Sequence, residues 1–336
     1  MFSLFLRAAT VSRRLLQHLS PVWLVSPVAI IAMALALSAV AANAGPGRVF
    51  LTFDDGPINI TLDILDVLKA EDIKATFFVN AIHLDGRGGE HEDRAREALR
   101  RIIAEGHVLG NHSYDHMGHN RPNGVYSITA SQAYSNVATD LPYFVPDNIT
   151  PVNAVLGPLA TRPNNHIDSL ARLPYSNVWM VPHMSRVCRW CGIDSGPYWD
   201  PFARANAAQQ VSAAGGRLAE ALYERYKIIT YGWDTQWMPS AWGQPTTNET
   251  LPPAAAVVAK ILALFGNEQG CTPPGAAISC TRPVRDREVI VLTHDFLFEN
   301  GARGRGKDLN MPQLVKLIES LKAKGYTFDT LDHYLD

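Results

Sequence analysis

The sequence predicts an α/β fold in which parallel strands are covered by helices. Short apolar segments typical of buried strands alternate with segments whose apolar residues recur every three or four positions, the helical period. The alternation continues along the whole chain after the first 44 residues, and no linker divides it, so a single domain is expected. With 47% hydrophobic and 18% charged residues, the composition excludes a disordered chain.

The last helix has three local sequence signals: Asn310 can cap it, Pro312 fits its first turn, and Gly325 ends it. Two long stretches, about 117–165 and 182–202, are predicted to be loop insertions. Strands are predicted at 48–53, 74–79, 108–109, 177–181, 228–231, 289–292 and 326–328, and helices at 61–70, 90–105, 203–226, 254–265 and 311–324.

The first 44 residues predict an export signal. Three arginines and no acidic residue accompany a long apolar stretch at 22–40, and the segment ends in Ala42-Asn43-Ala44, which is typical of a signal-peptidase site. We therefore expect a signal peptide at 1–44, a mature domain at 45–336, and a secreted or periplasmic protein. The apolar stretch is also about long enough to span a bilayer. An uncleaved anchor, which would be the protein's one membrane contact, therefore stays open.

Charge and cysteine content narrow the function classes further. The 30 basic and 32 acidic residues leave no basic excess, so no nucleic-acid partner is expected. The export signal and four cysteines predict disulfides, with Cys188–Cys191 and Cys271–Cys280 favoured among three possible pairings. A four-cysteine zinc site fits less well, because eight residues separate the second pair.

Acidic residues and histidines follow two of the predicted strands. Asp54 and Asp55 come directly after the first strand, in a segment that also has the composition of a simple turn. His112 and His116 follow the third strand, and their spacing places both on one face of a helical turn, where they can bind one metal. The carboxyl ends of parallel strands meet at one face. Two imidazoles and one carboxylate there would leave a metal position open for water, as catalytic zinc requires.

Three further polar clusters lie beside predicted strands. Taken singly, each has a structural explanation: a surface arginine beside a proline turn, a pair of core tryptophans, and a capped strand end. Five such clusters at strand ends are hard to explain by packing alone, and together they favour an active site. The three segments are Arg172-Leu173-Pro174-Tyr175, Gly232-Trp233-Asp234-Thr235-Gln236-Trp237 and Leu292-Thr293-His294-Asp295.

In their order along the chain, the five clusters resemble the motifs of polysaccharide deacetylases, the NodB-homology enzymes of carbohydrate esterase family 4. The resemblance extends from about residue 48 to 335 and implies a single distorted (β/α) barrel of parallel strands with long loop insertions. It also implies a hydrolase that removes acetyl groups, above all N-acetyl groups, from glycans such as peptidoglycan or chitooligosaccharides. The matching segments are Thr-Phe-Asp-Asp-Gly-Pro (52–57), His-Ser-x-x-His (112–116), Arg-x-Pro-Tyr (172–175), Trp-Asp-x-x-Trp (233–237) and Leu-Thr-His (292–294).

The resemblance assigns the metal and proton-transfer roles. It implies that Asp55, His112 and His116 bind one divalent metal, zinc, with cobalt or nickel as alternatives. Asp54 would be the general base that takes a proton from water, and His294 the general acid that protonates the leaving group. An acetylated glycan would be the partner.

The remaining matching residues are assigned supporting roles. Arg172 would keep Asp54 ionised, and Asp234 would pair with His294. The backbone N–H of Tyr175, which follows Pro174, would stabilise the oxyanion, and Leu292 and Trp237 would line a pocket for the acetyl methyl group. The sequence departs from the family pattern at Gln236, where an acid is usual, and at Ser176, where glycine is usual.

Other functions stay open at this stage. The altered fourth motif is compatible with a non-catalytic glycan-binding protein on the same scaffold, and an O-acetyl-xylan esterase would use the same residues on an ester. Non-haem iron oxygenases also combine two histidines with one carboxylate. They typically place the acid two residues after the first histidine, whereas Tyr114 stands there in this chain.

Overall fold

The structure is a computed structural model that describes residues 47–85, 90–117, 134, 136–181, 205–238, 251–266, 287–301 and 304–334. The predicted signal peptide and all four cysteines lie outside the described residues, so the leader and the disulfide pairs stay predictions. None of the described helices combines the length and apolar content needed to cross a bilayer.

A parallel sheet forms the centre of the fold. Its neighbouring strands follow the order β5-β4-β3-β2-β1-β7-β6, and β10 pairs with the first residues of β1. A short antiparallel pair, β8 and β9, lies apart from it. The strands are β1 (Arg48–Gly56), β2 (Thr76–Val79), β3 (Val108–Asn111), β4 (Leu170–Ala171), β5 (Ile229–Thr230), β6 (Thr235–Gln236), β7 (Glu288–His294), β8 (Asn300–Gly301), β9 (Gly304–Arg305) and β10 (Thr327–Asp329).

The short connection between β5 and β6 forces this sheet to curl. Seven strands spaced about 4.8 Å apart would make a flat sheet roughly 29 Å wide. The two outermost strands are β5, which ends at Thr230, and β6, which begins at Thr235. The five residue steps between these two positions span at most about 18 Å of extended chain. The outermost strands must therefore approach each other, and the sheet forms a distorted, open barrel. The predicted α/β barrel of parallel strands is confirmed.

Helices cover the sheet with their apolar faces. The first helix, for example, buries Ile64, Leu65 and Leu68 in the main core, which also contains fully buried residues of β1. The helices are α1 (Thr61–Ala70), α2 (Glu90–Ala104), α3 (Val137–Asp140), α4 (Ile149–Leu156), α5 (Ala205–Tyr226), α6 (Ala254–Gly266) and α7 (Gly306–Ala323).

The strand predicted at 177–181 is wrong. Within it, Met180 makes one isolated bridge to Thr230, and the fourth strand of the sheet is instead β4. Two residues are too few to give a strand pattern in the sequence. Because β4 ends at Ala171, Arg172 follows the carboxyl end of a strand, as the other polar clusters do. The sequence had placed it before a strand.

Two boundary predictions also need correction. The last helix begins at Gly306, five residues before the predicted start, and Pro312 lies inside it. Asn310 is fully buried and does not cap the helix, because its amide accepts from the N–H of Leu251 and donates to the carbonyl of Leu297. The stretch predicted as loop at 117–165 contains α3 and α4.

Candidate active site

The three predicted metal ligands converge at the carboxyl ends of β1 and β3. The Nε2 atoms of His112 and His116 each lie 3.3 Å from the same oxygen, Oδ1 of Asp55. One ligand atom from each residue lies within 4.8 Å of the other two, and this is the one group of metal-binding type among the described residues. Asp55 and the two histidines, which lie 57 and 61 positions further along the chain, therefore form one cluster.

The loop that carries the two histidines is not the predicted helical turn. Ser113, His116 and Met117 all have positive φ angles, of 67°, 55° and 63°, which an α-helix does not allow. Asp55 also has a positive φ, 69°. Such conformations are costly for residues other than glycine and persist where the surroundings impose them.

Three buried asparagines impose this loop geometry. The side-chain amide of Asn80 donates to the carbonyls of His112 and Ser113, at 2.7 and 2.8 Å. Asn111 accepts at Oδ1 from the N–H of Ser113 (2.9 Å) and from Asn148 (2.8 Å). The sequence reasoning missed these residues. Their signal was available, since Asn80 directly follows β2 and Asn111 ends β3.

The cluster has the electrostatics of a cation site. Burial opposes the charged form of Asp55, but His116, His112 and His294 together hold its pKa well below the usual value. Burial lowers the pKa of His116 to about 4, so its imidazole is neutral at pH 7 and has one unprotonated ring nitrogen. At His112, Nδ1 lies 2.9 Å from the carbonyl of Arg172, so Nε2 is directed at the cluster.

The second carboxylate, Asp54, is held by a buried arginine. Arg172 is fully buried and donates from one terminal nitrogen to Asp54 Oδ1 (2.9 Å) and to Thr52 Oγ1 (2.6 Å). Its other two nitrogens donate to the carbonyls of Tyr231 (3.2 Å) and Gly232 (2.9 Å). The guanidinium is thus fixed on several sides, and it fixes Asp54 in turn.

His294 lies on the strand next to Asp54. The two residues are register partners in the β1–β7 pair, and His294 Nε2 lies 3.9 Å from Asp55 Oδ2. Burial lowers the pKa of His294. His294 and Asp54, on neighbouring strands, therefore both lie next to the same cluster.

The Pro174–Tyr175 segment borders the cluster on another side. The ring of Tyr175 meets that of His116 edge-on, with centroids 4.3 Å apart. Burial raises the pKa of Tyr175 to about 12. The N–H of Ser176 donates to the carbonyl of Leu173 (3.3 Å), which closes a tight turn around Pro174 and Tyr175.

The other three predicted residues have mixed surroundings. Asp234 accepts at Oδ2 from the N–H of Ile290 (2.8 Å), four residues before His294 in β7, so its pairing with His294 stays a prediction. Trp237 is fully buried in the main core, and its indole N–H donates to the carbonyl of Pro252 (2.9 Å). Leu292 is 3% exposed and accepts at its carbonyl from the N–H of Trp237 (2.7 Å).

Asp295 is a buried acid that the sequence reasoning left without a role. It accepts a hydrogen bond from the hydroxyl of Thr61, and burial raises its pKa to about 8, so it is neutral at pH 7. A β-carbon added to Gly56 would lie 2.1 Å from Asp295 Oδ2. This close approach explains why glycine follows Asp55.

Comparison with known proteins gives a consistent result. A family model described as polysaccharide deacetylase matches residues 41–139. The chain is 35% identical over 325 residues to the chitin disaccharide deacetylase of Vibrio alginolyticus, covering 91% of this chain and 75% of that protein. A shorter match, 44% over 72 residues, covers 21% of this chain and 27% of the chitin deacetylase of Colletotrichum lindemuthianum. Among solved structures, a CE4 esterase of Streptococcus mutans aligns with a TM-score of 0.48 at 20% identity, covering 88% of this chain and 90% of that chain.

Proposed function

The chain belongs to the polysaccharide deacetylase family of hydrolases, and on this basis we propose that it removes N-acetyl groups from GlcNAc-containing glycans, such as chitooligosaccharides or peptidoglycan, at a divalent-metal site. The observation that carries the proposal is the convergence of Asp55, His112 and His116, with Asp54 and His294 beside them. A binding protein would not need an acid and a base at the same cluster.

The residues present fit a divalent cation. Oδ1 of Asp55 is buried, and among the described residues it is faced by the two histidine nitrogens at 3.3 Å. One carboxylate oxygen and two imidazole nitrogens form a donor set typical of catalytic zinc, which cobalt or nickel also accept. A cation held there would act as a Lewis acid that activates water and polarises the acetyl carbonyl.

Asp54 is proposed as the general base. Its carboxylate lies next to the cluster, with Oδ2 3.7 Å from His112 Nε2, and its other oxygen is fixed by Arg172. It can therefore accept a proton from the attacking water without changing position.

His294 is proposed as the general acid. It lies across the strand pair from Asp54, so base and acid approach a substrate from two neighbouring strands. Burial lowers the pKa of His294, so its protonated form is the minor one at neutral pH and a stronger acid than a free imidazolium. This protonated form would give its proton to the departing amine nitrogen. Because the base and the acid are separate residues, one takes a proton from water and the other gives a proton to the leaving nitrogen in the same catalytic cycle.

The Tyr175 backbone N–H is proposed to donate to the oxyanion that forms during attack. Pro174 and the closed turn fix the position of this peptide, and the Tyr175 ring packs on His116.

Leu292 and Trp237 are proposed to line the space for the acetyl methyl group. Asp234 is proposed to support His294. Residues 1–44 are proposed to direct secretion, so that the enzyme meets its glycan outside the cytoplasm.

Acetate release tests the proposal. The purified protein, supplied with zinc or cobalt, is expected to release acetate from N-acetylated chitooligosaccharides or peptidoglycan fragments, and acetylxylan serves as the ester comparison. Asp54→Asn is expected to abolish turnover while the metal content is unchanged. No release from any of these substrates, or full activity in Asp54→Asn, would contradict it.

A further inference from the structure

A buried tyrosine contacts the peptide group that carries the proposed oxyanion donor. The hydroxyl of Tyr134 donates a hydrogen bond to the carbonyl oxygen of Pro174. Tyr134 is 1% exposed and packs in an apolar cluster that includes Leu173. Burial raises the pKa of Tyr134 well above its usual value, so the hydroxyl keeps its proton and remains a donor.

The contacted peptide is the central one of a β-turn. The N–H of Ser176 donates to the carbonyl of Leu173, Pro174 occupies the second position, and Tyr175 has a φ of 60° at the third. These features define a type II turn. Its central peptide makes no hydrogen bond within the turn, so the Tyr175 N–H is available to a ligand.

Sequence alone does not favour this orientation. The third position of a type II turn requires a positive φ, which glycine or asparagine adopts readily and a tyrosine does not. Rotation of the central peptide by about 180° would convert the turn to type I, with a negative φ at Tyr175. That rotation would direct the Tyr175 N–H away from its present side while the ends of the turn stay in place.

A hydrogen bond to the carbonyl opposes the rotation. In a planar trans peptide the C=O and the N–H point in opposite directions, so fixing the Pro174 oxygen also fixes the Tyr175 N–H. The same bond polarises the peptide and strengthens its N–H as a donor. We propose that Tyr134 is a positioning residue that holds the Pro174–Tyr175 peptide with its N–H directed at the reacting acetyl group. This inference rests on the proposed function of the Tyr175 N–H.

Tyr134→Phe tests the role, because it removes the hydroxyl and keeps the ring. We expect kcat for acetate release from N-acetylated chitooligosaccharides to fall roughly tenfold, less than the ~10²–10³ lost with a whole oxyanion donor. KM and the zinc content of the protein are expected to be unchanged. Tyr334→Phe, a fully buried tyrosine that packs on Phe50 and Tyr231, is the matched control and is expected to keep the wild-type kcat.

A second background separates positioning from general packing. Tyr175→Gly removes the penalty on the positive φ, so the turn no longer needs the Tyr134 hydroxyl. In that background Tyr134→Phe is expected to lose most of its effect on kcat. An unchanged kcat in Tyr134→Phe, an equal loss in both backgrounds, or a loss that matches lost zinc would overturn the inference. A wild-type protein that releases no acetate would overturn the proposed function itself.

Discussion

Replacement of Arg172 by methionine is expected to destabilise the protein and to abolish most of its activity. Methionine fills the volume of the side-chain stem, but it removes the guanidinium that pairs with buried Asp54 and that donates to the carbonyls of Tyr231 and Gly232. Removing one partner of a buried ion pair costs about 3–5 kcal/mol of unfolding free energy. At roughly 2 °C per kcal/mol for a domain of this size, Tm should fall by about 6–10 °C.

Urea unfolding and acetate release measure the two effects. Arg101→Met is the matched control, because Arg101 also contacts two carboxylates, Asp66 and Glu105, but lies on the surface of α2 with its partner Asp66 68% exposed. Exposed pairs of this kind are worth about 0–1 kcal/mol, so Arg101→Met should cost about 1 kcal/mol and leave kcat unchanged. Equal losses of stability in the two variants, or wild-type kcat in Arg172→Met, would refute the reasoning.

Three further predictions concern the cluster and the core. His116→Ala should lose bound zinc, while His91→Ala, an exposed histidine on α2, should keep it; elemental analysis of the two proteins decides the point. Gly56→Ala places a methyl group 2.1 Å from Asp295 Oδ2 and should cost about 1–3 kcal/mol in urea unfolding, with weakened zinc binding; unchanged stability would contradict the close approach. Burial lowers the pKa of His107 to about 3, so this residue is neutral in the folded protein, and stability present above pH 6.5 is lost as pH falls. His107→Gln should therefore lose about 2 kcal/mol less than wild type between pH 7.5 and 5, and parallel pH profiles would disprove it.

Long periodic elements were predictable from the sequence, and very short ones were not. The helix at 61–70 has the predicted bounds, because its apolar spacing extends over several turns. The two-residue strands β4 and β6 contain too few side chains for alternation to be visible. Tertiary pairing with longer neighbours fixes them instead. The same limit explains the wrong strand at 177–181, whose apolar residues pack in the core without pairing along their length.

The type of site residue was predictable, while its local backbone was not. The grouping of Asp55, His112 and His116 follows from their position after strands, and their role as metal ligands stays a prediction. The positive φ angles of the histidine loop depend on Asn80 and Asn148, whose partners lie 32 or more positions away in the chain. Spacing alone therefore suggested a helical turn, and the long-range hydrogen bonds impose a different conformation.

The central claim is that Asp55 and two histidines far from it in the chain bind one cation. Anomalous diffraction from zinc-loaded crystals tests it most directly. We predict a single anomalous peak at about 2.0–2.2 Å from a carboxylate oxygen of Asp55 and from Nε2 of His112 and His116. A zinc-loaded protein with no peak at these three atoms, or with its peak at other residues, would contradict the account.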